Sequence, residues 1–147
     1  MKLKLYNIQK LSCLFLTLPV LLILTFSSCS HKIGFETSSV VPAAEGSVKV
    51  KKDNNSNYSI QMEITHLADP SRLQPPKENY VVWMQTESNG IKNLGQLKSS
   101  SGFFSSTKKA ALSTVTSFTP NKVFITAEDQ VNIPYPTGQP VLTTNNF

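Results

Sequence analysis

From Gly46 onward, apolar and polar residues alternate over short runs, and Asn, Asp, Gly and Pro break the runs apart. Successive side chains of a strand point to opposite faces, so a period of two predicts half-buried β-strands. Over 47–51, Val48 and Val50 oppose Lys49 and Lys51. Over 58–65, Tyr58, Ile60, Met62 and Ile64 alternate with Ser59, Gln61, Glu63 and Thr65. Asp53-Asn54-Asn55-Ser56-Asn57 separates these segments and predicts a turn, because Asp and Asn side chains bond their own backbone and tolerate tight conformations. Residues 79–86 (NYVVWMQT) are apolar on both faces in their middle, the pattern of a central strand covered on each side. Asn89-Gly90 predicts a hairpin turn, with 91–97 returning. Segments 112–118, 122–128 and 141–144 complete the strand set. Two proline-bearing loops are predicted, one at 69–76 and one holding Pro134, Pro136 and Pro140. A third loop is Ser-rich, 99–109, with Phe103 and Phe104 expected to reach the core.

No helical period of useful length follows residue 30. About seven short strands with turns every eight to twelve residues predict an all-β domain over 46–147, a two-sheet antiparallel β-sandwich. A partly open β-barrel is the alternative. Residues 29–45 hold Ser38, Ser39 and Pro42 with no sustained period, and read as a tether.

The start of the chain has a different pattern. Lys2, Lys4 and Lys10 precede a nearly unbroken apolar run of 16 residues, 11–26, closed by Ser27, Ser28 and Cys29. Charge, apolar helix and small-residue cleavage site make a secretory signal over 1–28, and a membrane-crossing helix needs about 20 residues. The run Leu24-Thr25-Phe26-Ser27-Ser28-Cys29 resembles the lipobox of bacterial lipoproteins. That resemblance implies cleavage before Cys29 and acylation of its thiol, palmitate included, so that the membrane is a partner through the lipid. Ser30, rather than Asp, after the cysteine suggests the outer membrane or cell surface over the inner membrane, by analogy.

Removing 1–28 changes the charge argument. The formal +5 of the whole chain falls to +2, because three of the 14 Lys and Arg leave and none of the nine acids does. Such a balance gives no reason to expect nucleic acid. Cys13 leaves with the signal and Cys29 carries lipid, so no disulfide or cysteine metal site is expected. With only His31 and His66 besides, neither metal nor cofactor is expected.

The mature part resembles the extracytoplasmic C-terminal domain of anti-sigma-K factors. The likeness spans about 46–144 and rests on Tyr80-Val81-Val82-Trp83, Gly90, Leu94-Gly95, Val123 through Thr126 and Glu128, Pro136-Thr137-Gly138, and Val141-Leu142. The resemblance implies an exported β-sandwich. Those regulators carry a cytosolic sigma-binding part, often with a His-x₃-Cys-x₂-Cys zinc motif, before a membrane helix. Here ten residues precede the apolar run and the motif is missing, so sigma binding is not carried over.

Candidate chemistry is sparse. Trp83 reads as a core anchor between the sheets with its indole N–H satisfied nearby, against an alternative as a ligand platform. Glu128 and Asp129 are adjacent and point apart, as Glu63 and His66 do if the strand runs regularly, so neither makes the facing pair of a glycosidase. Glu128 is expected to accept hydrogen bonds from the loop holding Pro136, Thr137 and Gly138, since a buried carboxylate needs partners. Lys49, Lys51, Lys52, Lys108 and Lys109 are candidates for a basic surface. The sequence therefore predicts a non-catalytic binding, sensing or assembly module of the cell envelope, partnered by an envelope protein or anionic polymer. An envelope enzyme acting on polysaccharide or peptide, and a purely structural lipoprotein, are the alternatives.

Overall fold

The structure, a computed structural model, is described for residues 31–100 and 109–147. The signal segment, Cys29, Phe103, Phe104 and Lys108 lie outside these residues. Within them the chain forms nine strands and one 3₁₀ turn. The strands are β1 His31–Gly34, β2 Glu45–Lys52, β3 Tyr58–Thr65, β4 Asn79–Thr86, β5 Ile91–Gln96, β6 Lys98–Ser100, β7 Lys109–Thr116, β8 Pro120–Glu128 and β9 Pro140–Thr143. They build two antiparallel sheets, ordered β1-β2-β3-β7-β6 and β5-β4-β8-β9. The sheets stack as a sandwich rather than closing into a barrel.

Alternation decides what each sheet buries. Val48, Ile60, Met62 and Ile64 of the five-stranded sheet meet Val82, Met84, Val123, Ile125 and Leu142 of the four-stranded sheet in one core. Val81, Trp83 and Phe124 have the opposite parity and form a second, smaller cluster on the outer face of the four-stranded sheet. Ile91 and Ile133 pack against that cluster, so the 129–139 loop supplies part of its cover. Trp83 is fully buried, but in this outer cluster and not between the sheets as the sequence suggested. The reason is its register: Val82 and Met84, on either side of it, take the inter-sheet positions.

The stretch read as a tether is largely part of the fold. β1 pairs with β2 from His31↔Val50 to Gly34↔Ser47. Phe35 then bridges to Thr144, and the Glu36 N–H donates to the Thr143 carbonyl at 2.8 Å. Ser38 is buried; its hydroxyl donates to the Val141 carbonyl and accepts from the N–H groups of Val40 and Val41, at 3.2 and 2.9 Å. Val41 and Ala44 join the main core. Residues 31–44 therefore run from the edge of one sheet to the edge of the other. A four-residue alternation was too short to register as a strand, which is why the composition of this stretch read as linker.

The other seam is closed by a continuous run. β5 lies at the edge of the four-stranded sheet and β6 at the edge of the five-stranded one, with the Leu97 N–H between them bonded to the Tyr80 carbonyl at 3.0 Å. Ser99 and Ser100 belong to β6, not to the Ser-rich loop assigned from composition.

Candidate functional site

On β5, Asn93 lies opposite Trp83 and Gly95 opposite Val82, which leaves Leu94 as an extra residue, a β-bulge. Gly95 takes φ +114, a conformation a side chain would strain, and its N–H donates to Asn93 Oδ1 at 2.8 Å. The bulge turns Leu94 onto the main core. The Asn93 side-chain amide bonds the carbonyls of Val131 and Ile133 at 2.8 and 3.0 Å. Gly90, with φ +69, closes the preceding hairpin, and its carbonyl accepts from the Thr86 N–H at 3.1 Å and hydroxyl at 2.9 Å. Tyr80 faces the main core with its hydroxyl bonded to the Ala68 carbonyl at 3.0 Å. Burial, helped by the charge of Asp69, pushes that phenol up to about 12.

Glu128 fastens the same loop from the next strand but one. It is fully buried on the outer face of β8. Its Oε1 accepts from the Thr126 hydroxyl at 2.6 Å, the Thr137 N–H at 2.9 Å and the Gly138 N–H at 3.2 Å, and its Oε2 accepts from the Thr137 hydroxyl. Burial pushes the carboxyl up. The hydrogen bonds from Thr126, Thr137 and Gly138 together outweigh that and hold it below the usual carboxylate range. The loop approaches closely because residue 138 is Gly: a Cβ there would stand 2.8 Å from the Ala127 carbonyl oxygen. Pro136, half-buried, directly precedes the two donors. Near the loop's start, Lys77 pairs with Asp129 at 2.7 Å.

Trp83, Gly95, Glu128, Pro136 and Gly138 thus serve one construction, a covered outer face with a loop latched across it, whereas Tyr80 lies on the inner face and Gly90 in the β4–β5 hairpin. Glu128 in this setting is a buried carboxylate that accepts four hydrogen bonds. Thr126, Thr137 and Asn93 are equal members of the latch. Sequence reasoning passed over Asn93, whose position before a Leu-Gly bulge carried no recognisable signal.

Exposed polar chemistry gathers instead on the outer face of the five-stranded sheet. Register places Lys32 (β1), Lys49 (β2), Gln61 (β3) and Ser113 (β7) in one cross-strand row. Lys51 lies two residues along on the face of Lys49. The neighbouring row holds Gly34, Ser47, Glu63 and Ala111. Small side chains between long ones leave a shallow trough of about 940 Å³. Glu63 pairs with Lys109 at 2.7 Å. The Lys109 ammonium holds Glu63 below the usual carboxylate range, and the charges of Lys32 and Lys49 add to this.

Lys32 directly faces Lys49, and like charges opposite one another in a sheet are destabilising. Among the described residues, neither these two nor Lys51 makes an ion pair. An edge lysine can serve to discourage strand addition, but Lys49 and Lys51 lie on β2, an interior strand. Lys32 was missed in the sequence because it sits in the segment read as tether. Lys52 points to the opposite face from Lys51, Lys109 is committed to Glu63, and His66 is exposed beyond the end of β3 with φ +57, apart from Glu63.

Trough, latch and sandwich are the features that a likeness to known proteins would have to share, and the chain matches no family model, no curated protein and no solved structure.

Proposed function

We propose that the chain is a lipid-anchored cell-envelope module, held to a membrane through acyl groups on Cys29, whose β-sandwich binds an anionic envelope polymer without catalysing a reaction on it. The observation that carries the binding reading is the opposition of Lys32 and Lys49, extended by Lys51 and without an ion pair among the described residues, above a trough lined by Gln61, Ser47 and Ser113, with Glu63 (already paired with Lys109) and Glu45 also in its lining. Repulsion retained on an interior strand is relieved when an anion bridges the ammonium groups. The hydroxyls and amide beside them suit the hydroxyl-rich backbone of a polyanionic glycan or polyol phosphate. The lipobox-like run ending at Cys29 supports the anchor and an outer-membrane or cell-surface location. The likeness of 46–144 to the anti-sigma-K C-terminal domain supports an exported sandwich.

The test is binding of the full chain to alginate (carboxylate), poly(glycerol phosphate) (phosphate) and neutral dextran. Binding to either polyanion, weakened by salt and by Lys49→Gln, supports the reading. Equal binding to dextran, or no effect of Lys49→Gln, contradicts it.

A further inference from the structure

We propose that one end of the sandwich, formed by Ile33, Val50, Lys52, Tyr58, Phe118 and Phe147, rests on the headgroup region of an anionic lipid bilayer. The proposal builds on the acylation of Cys29 and adds a second, protein-made membrane contact with a defined orientation.

Chain geometry selects the end. β1 begins at His31, paired with Val50, and Cys29 precedes His31 by two residues. Two residues of extended chain reach at most ~7 Å, so a lipid on Cys29 has no tether to lift the domain away. The end beside His31 is also where β2 runs into the 53–57 turn, where β7 passes into β8, and where the 87–90 hairpin lies.

The chemistry of that end suits a bilayer interface. A cavity of about 400 Å³ opens there, lined by Ile33, Val50, Lys52, Tyr58, Pro120 and Phe147 and almost wholly apolar. Phe118 and Phe147 are each 37% exposed. Two lysines lie over aromatic rings, Lys52 over Tyr58 at 5.7 Å and Lys92 over Phe118 at 4.9 Å. Aromatic rings with ammonium groups beside them place apolar surface at the acyl boundary and charge among the phosphates. Each lysine near an anionic membrane surface adds electrostatic attraction. Of the acids at this end, Asp53 is turned into its own loop, accepting from the N–H groups of Asn55 and Asn57 at 2.8 Å, and Glu87 sits in the hairpin. In this orientation the lysine-bearing trough stands upright beside the membrane, open to polymer.

Photo-crosslinking of the full chain tests the orientation. The protein is reconstituted in phosphatidylethanolamine–phosphatidylglycerol vesicles carrying a headgroup-proximal diazirine lipid, and adducts are mapped by peptide mass. The expected result is adducts on 52–58, 115–120 and 145–147 several-fold above those on the 3₁₀ turn Pro70–Arg72 at the opposite end, and a several-fold loss in the Lys52→Glu/Lys92→Glu variant. Equal labelling of the two ends, or labelling unchanged in that variant, overturns the proposal. The mass of the peptide holding residue 29, read in the same sample, separates the two claims. An acylated residue 29 with evenly spread adducts removes the docking end and keeps the anchor. A bare residue 29 with adducts still confined to this end removes the anchor and supports the docking end.

Discussion

The indole N–H of Trp83 donates to the Thr126 hydroxyl at 2.8 Å, and that hydroxyl passes its own proton toward Glu128 at 2.6 Å. All three side chains are fully buried. Trp83 also stacks on Phe124, ring centroids 6.5 Å apart. One threonine hydroxyl therefore couples the largest side chain of the outer cluster to the carboxylate that latches the 129–139 loop. A buried donor left without its acceptor costs about 1–3 kcal/mol, so this relay stabilises mainly by having no missing member.

Thr126→Val keeps shape and removes the hydroxyl, stranding the Trp83 N–H and taking one of three donors from Glu128 Oε1. A loss of roughly 2 kcal/mol is expected, read as a drop of several degrees in Tm with the Trp83 fluorescence maximum shifted. Glu128→Gln presents an amide where three donors converge and is expected to lower Tm by several degrees as well. The double variant should lose less than the sum of the two, because both remove the same bond. Additive losses, or an unchanged melt, contradict the relay.

Glu128 also sets a pH signature. Its carboxyl lies below the ordinary value of 4.5 in the folded protein. Its contribution is therefore fully present above the unfolded value and is lost as pH falls through the folded one. Urea midpoints of the wild type and Glu128→Gln should differ at neutral pH and converge as pH falls below the ordinary value of 4.5. Glu63 and Asp53 are also held low, but both variants retain them, so the difference isolates Glu128. A gap that widens in acid contradicts the assignment.

Most strands were legible because half-buried antiparallel strands carry their parity in the sequence: β3 begins at Tyr58 and β4 spans Asn79–Thr86 as the alternation and the apolar middle required. What stayed hidden was pairing over long separation. Nothing near Ser38 announces that it meets Val141, 103 positions away, and nothing near Lys32 announces Lys49. Trp83 was legible as buried but not as to which face, since a strand apolar on both sides does not say which side meets the other sheet. Glu128 was legible as a loop acceptor through its place beside the Pro136-Thr137-Gly138 piece, whereas the trough needed a register that only the folded sheet supplies.

Ser38→Ala distinguishes a packed segment from a tether. The change removes one donor to Val141 and the acceptor for two N–H groups, and a loss of about 1–3 kcal/mol is expected. Hydrogen exchange should rise over 36–44 and over β9 together. An unchanged melt contradicts the docking of this segment.

Lys49→Glu separates function from stability. Glu at 49 would face Lys32 across the β1–β2 pair and exchange repulsion for attraction, offset in part by repulsion from Glu63, so stability should rise by at most about 1 kcal/mol at low salt. Binding to a polyanion should fall in the same variant. Stability and binding falling together would point to a structural role for Lys49.

Acylation of residue 29 decides whether the sandwich is held at a membrane. Intact and peptide mass spectrometry of the full chain, isolated from the membranes of a bacterium that expresses it, is the measurement. The expected result is a mature chain beginning at Cys29 with a diacylglyceryl thioether, and no such species from Cys29→Ala. A free Cys29 thiol with residues 1–28 still attached, in membranes that process other lipoproteins normally, would contradict it.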